Sequence, residues 1–234
     1  MTFHSRSGGI HFGASAWYDY INVTINKVRV LDAHQGVDAQ VRGPGSIRGL
    51  SVTNMLMTRT TFNAPCYPWM GNGMPISISA DVWADGPAGS SAYGTVEDVL
   101  IENVTAQASN GFFVSGRVGG VSNVQFKNIN LIIQQMPNNN ASFGPCPSHN
   151  YWPTSRPTSS RLGGVVAPID GLFVEFATNV DLQNFKVSFI GAPKPGNTFG
   201  RCVYADANST SKMTGAARCV GENATAPTLS RLAM

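Results

Sequence analysis

Charge is scarce in this chain. Asp, Glu, Lys and Arg make up only 12% of its 234 residues, the formal balance is +3, and no basic run exceeds a pair. A nucleic-acid partner needs cations clustered on one face, so none is expected. No stretch approaches the roughly 18–20 continuous apolar residues of a membrane-spanning helix, so no membrane partner is expected either. Met1 to Gly9 is polar and lacks the apolar stretch of a signal peptide. There are four cysteines, with no C-x-x-C or H-E-x-x-H spacing, which argues against a metal site. Gly43-Pro44-Gly45 has no Lys-Ser/Thr after it and is a turn rather than a phosphate loop. No cofactor is expected.

What the chain does have is a repeat. The pattern apolar-x-x-apolar-x-apolar-x-x-apolar-x-apolar occurs five times. It runs through Tyr20, Val23, Ile25, Val28 and Val30, then Ile47, Leu50, Val52, Met55 and Met57. It returns at Val96, Val99, Ile101, Val104 and Ala106, at Val121, Val124, Phe126, Ile129 and Leu131, and at Ala177, Val180, Leu182, Phe185 and Val187. Each copy is two period-2 runs with a one-residue offset, read as two short strands meeting at a bend. Such spacing holds no 3.6-residue stripe, so a helix is excluded. Before each copy stands a Gly and a short alternating strand, at Gly9, Gly36, Gly73, Gly111 and Gly171. Their separations are 27, 37, 38 and 60 residues. The shortest suits one coil. The excess lies in Pro-, Gly-, Asn- and Ser-rich insertions near 58–72, 80–95 and 134–170.

The expected fold is therefore all-β: a single-stranded, right-handed parallel β-helix (a solenoid) of about five coils over residues 1–191, with long loop insertions, followed by an irregular tail over 192–234. A β-sandwich is the structural alternative. It does not explain why Asn54, Asn103, Asn128 and Asn184 recur just before the fourth apolar position. Asn tolerates left-handed backbone angles, and its amide can bond its equivalents above and below, so a stacked Asn ladder is expected at the bend. Five N-x-S/T sequons, at Asn22, Asn103, Asn140, Asn208 and Asn223, and the even cysteine count favour an oxidising, extracellular or cell-wall setting. Cys66 and Cys146, both in insertions, form one candidate disulfide, and Cys202 with Cys219 a second. With no leader visible on a chain of secreted character, Met1 is not expected to be the natural start.

The segments "SGGIHFGAS", "HQGVDAQVRGPGSIRGLSVTNMLM", "GMPISISA", "VEDVLIENVTAQASNGFFVSG" and "VSNVQFKNINLII" resemble the C-terminal half of glycoside hydrolase family 28, the polygalacturonase-like enzymes of the pectin lyase-like superfamily. The resemblance covers about residues 5–190. It implies inverting hydrolysis of pectin-like glycans by three acidic residues, one in an Asn-Thr-Asp motif and two in an Asp-Asp pair, followed by Gly-His-Gly and Arg-x-Lys motifs. Here the Gly-His-Gly region corresponds to Ser7-Gly8-Gly9-Ile10 and contains no His; His4 and His11 are nearest. The Arg-x-Lys strand corresponds to Asp38-Ala39-Gln40, with Arg42 a substitute two residues on. The acidic motifs would precede residue 1, so the chain is read as a fragment or a shortened gene product.

Alternation of the strands predicts which side chains face out. Ile10, Phe12, Val37, Ala39, Val41, Ile76, Ile78, Phe112, Val114, Leu172 and Val174 should point inward. The outward row is then His11, Asp38 with Gln40, Ser77 with Ser79, Phe113 with Ser115, and Phe173 with Glu175, polar with interleaved aromatics as an extended glycan requires. Asp38, Gln40, Arg42, Ser77, Ser79, Phe113 and Glu175 are the expected substrate contacts, joined by Trp69 and Trp83 in the insertions, where their rings can stack on sugars. Arg42 and Arg48 suit an acidic uronate. His11 and Asp38 are the weak catalytic candidates. Hydrolysis needs two carboxyl groups roughly 5–5.5 or 6.5–9.5 Å apart. Asp38 and Glu175 lie three strand spacings apart, about 14 Å, so no acid–base pair is expected. The expected partner is a polysaccharide, bound either by a part of a glycosidase or by a non-catalytic binding or cell-wall β-helix. A monomer is expected, though an open first coil would invite association.

Overall fold

The computed structural model describes residues 1–5, 8–14, 16–60, 73–80, 93–134, 168–191, 199–210 and 213–221. These form two parallel sheets. The eight-stranded sheet contains β1 (Thr2–His4), β3 (Tyr20–Ile21), β4 (Thr24–Asp32), β6 (Ile47–Thr60), β8 (Val96–Ala108), β10 (Val121–Ile133), β12 (Ala177–Phe189) and β14 (Met213–Val220). The six-stranded sheet contains β2 (Gly8–Ala14), β5 (Gln35–Val41), β7 (Met74–Ala80), β9 (Phe112–Gly116), β11 (Leu172–Glu175) and β13 (Val203–Ala205). From β4 onward the chain alternates between the sheets, and each return places a strand beside its predecessor in the same sheet. One helical turn, α1 (Ala207–Thr210), lies between the last two strands.

The repeat becomes register. Leu50 pairs with Val99, Val99 with Val124, and Val124 with Val180. Val52, Ile101, Phe126 and Leu182 align in the same way. None of these eight side chains is more than 3% exposed. Stacking like on like removes a continuous apolar column from water, about 1.5–3 kcal/mol for each large side chain. Facing them from the other sheet are Val37, Ala39, Val41, Ile76, Ile78, Phe112, Val114, Leu172 and Val174, all in the core as alternation predicts. The ring of Phe112 meets those of Phe126 and Phe185 at 5.8 and 5.9 Å. Ile10 and Phe12 pack on this core but stay half-buried, because β2 ends its sheet.

The expected Asn ladder is present. Asn54 Nδ2 donates to Asn26 Oδ1, Asn103 to Asn54, Asn128 to Asn103 and Asn184 to Asn128, at 2.9–3.2 Å. Lys27, Asn54, Asn103, Asn128 and Asn184 all have φ between 52° and 55°. A second left-handed row, which the apolar spacing does not reveal, stands five residues earlier at Asn22, Gly49, Asp98, Asn123 and Asn179. There Asn179 donates to Asn123 and Asn123 to Asp98, both at 2.9 Å. Gly49 has φ +71°, and a Cβ on it would lie 2.6 Å from Asn22 Oδ1, so both its angle and its space call for glycine.

The segment after residue 191 differs from the irregular tail expected. β13 extends the six-stranded sheet beside β11, and β14 extends the other beside β12. β13 is only three residues long, and β14 places Gly215, Ala217 and Cys219 where β12 has Leu182, Phe185 and Val187, which hid both from the pattern of large apolar residues. They are held instead by specific contacts. Asp206 Oδ1 accepts from Ser209 N at 2.8 Å, and the buried Ser209 Oγ accepts from Ala177 N at 3.0 Å. The disulfide Cys202–Cys219 ties the two sheets together across 17 residues, with a Cα–Cα distance of 5.5 Å.

Candidate functional site

The predicted outward row exists in register. His11 of β2 pairs with Asp38 of β5, Asp38 with Ser77 of β7, Ser77 with Phe113 of β9, Phe113 with Phe173 of β11, and Phe173 with Tyr204 of β13. Two residues along, Gly13, Gln40, Ser79, Ser115 and Glu175 form the neighbouring row.

This row is not the open glycan platform that alternation predicts. Its C-terminal half is a second small core, in which Met74, Phe113 and Phe173 are buried and Tyr204 packs against them. The Phe113 and Phe173 rings stack at 5.5 Å and 7°, and those of Phe173 and Tyr204 at 4.9 Å and 2°. Arg201 closes the stack, its guanidinium 4.5 Å from the Tyr204 ring centre. Phe113 is therefore buried against the Phe173 ring of its own chain instead of standing exposed as alternation predicts. Ser77, Ser79 and Ser115 are buried as well. Glu175 is half-buried and accepts from Ser115 Oγ at 3.4 Å. In-register stacking brings aromatic groups on successive strands into contact, and they satisfy one another.

The N-terminal end of the row is polar and reaches the surface. His11 Nδ1 lies 2.8 Å from Asp38 Oδ2, with the His11 side chain 44% exposed and that of Asp38 5%. This hydrogen bond is the main reason the imidazole pKa rises above its usual 6.5; the Gly13 carbonyl assists, while burial and the Arg42 charge oppose. Beside it stands His34, a residue not singled out in the sequence. Burial lowers its pKa to about 4, with the His11 charge adding to that effect and Asp38 opposing it. Asp38 Oδ1 is buried and has no hydrogen-bond partner among the described residues, and the same holds for Ser79 Oγ. Arg42 and Gln40, both half-buried, complete the corner. His34 carries no motif; only its position one residue before the β5 strand bearing Asp38 marked it.

Among the described residues the corner holds one carboxylate, Asp38. Asp38 and Glu175 are separated by three inter-strand steps, at least ~14 Å, beyond either glycosidase geometry. Arg48 does not join it: it stands on the eight-stranded sheet and pairs with Asp19 at 3.1 Å. Trp69, Trp83, Cys66 and Cys146 lie outside the described residues, as do the sequons at Asn140 and Asn223. Of the described sequons, Asn103 is occupied by the ladder, whereas Asn22 and Asn208 are exposed. Among the described residues, no group of three or more His, Cys, Asp or Glu is placed to hold a metal ion, and no helix is long and apolar enough to cross a membrane. Comparison with protein-family models, with curated proteins and with solved structures gives no match.

Proposed function

We propose that the chain is a right-handed parallel β-helix of the polygalacturonase-like kind, and that it binds an acidic, pectin-like polysaccharide at the corner formed by His11, Asp38 and Arg42. The alternation of strands between two parallel sheets supports a coil. Right-handed crossovers dominate such connections, which supports the hand. The observation that carries the binding reading is the His11–Asp38 pair. It holds a half-exposed imidazole toward its charged form, next to a guanidinium, at an exposed end of a row whose middle is buried. Two cations suit a uronate carboxylate. The disulfide accords with a location outside the cell.

Binding without turnover is favoured over hydrolysis because the described residues supply only one carboxylate at the corner. Titration of the purified chain with a short oligogalacturonide, followed calorimetrically, tests the reading. Binding should weaken about tenfold or more in Arg42→Gln and on raising the pH past the His11 titration. A reducing-sugar assay on polygalacturonate should stay at background. Binding that is indifferent to Arg42 and to pH refutes the corner; release of reducing ends refutes the non-catalytic reading.

A further inference from the structure

The outer face of the eight-stranded sheet is divided at the Asn ladder. The half before the bend carries Glu97, Asp98, Glu102 and Asp181. The half after it carries no acidic residue from β6 to β14. One row there crosses six strands without a break: Arg29 pairs with Leu56, Leu56 with Thr105, Thr105 with Asn130, Asn130 with Lys186, and Lys186 with Arg218. The neighbouring row offers Gln107, Ile132, Ser188 and Val220. Arg29, Lys186 and Arg218 are exposed and have no ion-pair partner among the described residues. At the N-terminal end the row opens into a groove of about 330 Å³ lined by Lys27, Arg29, Asn54, Leu56 and Thr105, again with no carboxylate.

We infer that this half-sheet is an interaction surface for an acidic polysaccharide, separate from the His11 corner and sharing with it only the class of ligand. Charge complementarity selects an anion, because cations stand at both ends of a strip that carries no carboxylate from β6 to β14, while Asp32 at the end of β4 lies 3.9 Å from His4. The strip is roughly 24 Å long, five inter-strand steps of about 4.8 Å. Its charge is sparse, with three neutral positions between Arg29 and Lys186. Double-stranded DNA carries a charge every ~1.7 Å and would need cations on every strand. A carboxylated glycan instead alternates anions with hydroxyls and apolar ring faces. Thr105, Asn130, Gln107 and Ser188 supply hydrogen-bonding partners, and Leu56, Ile132 and Val220 supply flat aliphatic contact.

The test is affinity electrophoresis of the full chain through polygalacturonate at low and raised salt. The triple variant Arg29→Gln/Lys186→Gln/Arg218→Gln should bind about tenfold or more weakly and lose most of its salt dependence. Lys127→Gln, on the acidic half, should stay within about twofold, and Arg42→Gln should leave the polymer bound by the strip. Because the altered side chains are exposed, circular dichroism and melting temperature should be unchanged. The strip is refuted if the triple variant binds like the parent. If Arg42→Gln alone abolishes polymer binding, the strip falls and the corner stands. If the triple variant loses the polymer while the oligosaccharide still depends on Arg42, both stand. Equal or tighter binding of a DNA duplex, or of a neutral glycan, overturns the choice of ligand.

Discussion

Replacing Asn128 separates the two things a ladder asparagine does. Its Nδ2 donates to Asn103 at 3.0 Å, its Oδ1 accepts from Asn184 at 3.1 Å, and its backbone sits at φ 53°. Asn128→Ala removes both bonds, about 0.5 kcal/mol each at an exposed position, and places a Cβ residue of no special tolerance in the left-handed region, about 1–2 kcal/mol. The expected loss is therefore about 2–3 kcal/mol, or roughly 4–12 °C in Tm for a chain of this size. Asn128→Gly loses the same bonds but takes the left-handed angle freely, so it should cost only about 1 kcal/mol. The mirror experiment is Lys27→Asn. Lys27 occupies the same position at φ 55° while Asn26 accepts the ladder bond, so the substitution should stabilise by about 0.5–1 kcal/mol. Urea and thermal melts of the three variants read these differences. If Gly at 128 is as harmful as Ala or worse, the backbone angle is not what selects asparagine, and the account of the bend fails.

Removing the Cys202–Cys219 bridge by a double Ser substitution should lower stability by about 3 kcal/mol, from the unfolded-chain entropy of a 17-residue loop, measured by urea unfolding. A loss under about 0.5 kcal/mol would mean that β13 and β14 hold without it. The two histidines at the corner should act in opposite directions with pH. The His34 pKa is lowered to about 4, so the folded state resists the proton that the unfolded chain accepts near 6.5, and stability should fall as pH drops from 6.5 to 4, by at most about 3 kcal/mol. His34→Leu should flatten that limb of a stability–pH curve. The His11 pKa is raised, so its stabilising pair with Asp38 is fully present below pH 6.5 and is lost as pH rises through the raised value. Asp38→Asn should abolish that alkaline limb and, by removing the charge that opposes the lowered His34 pKa, deepen the acid limb.

The repeat was legible because burial alone writes it. Val99, Val124 and Val180 recur at one spacing, and each stands on the next in the folded chain. The ladder at Asn54, Asn103 and Asn128 was legible because a left-handed bend accepts few residues. The second bend escaped because its residues vary, with Gly49 and Asp98 among the asparagines, although all three types tolerate the same angle. Alternation identified the outward row of the six-stranded sheet but not its burial. Phe113 and Phe173 face out of one core and into another, a distinction that depends on what stacks above them. His34 was invisible for the opposite reason: it stands just before β5, and its environment comes from burial and then from Asp38 of β5 and His11 of β2.

Layering also sets the limits on chemistry at the corner. Groups in one row on adjacent strands are about 4.8 Å apart, and a shift of two residues along a strand adds about 6.6 Å at right angles. A carboxyl partner for Asp38 at retaining distance would have to occupy the position of His11 or Ser77, its neighbours in register. One at inverting distance, roughly 6.5–8 Å, could stand at Gln40 on the same strand or at Gly13 or Ser79 on its neighbours. These positions hold an imidazole, two hydroxyls, an amide and a glycine. The first of them turns the lone carboxylate into an anchor for a cation, and the hydroxyls surround it with groups that bind but do not accept protons at neutral pH. The same regular spacing that assembles the corner thus leaves it, among the described residues, with one carboxylate paired to an imidazole, which is the geometry on which the proposed anion binding rests.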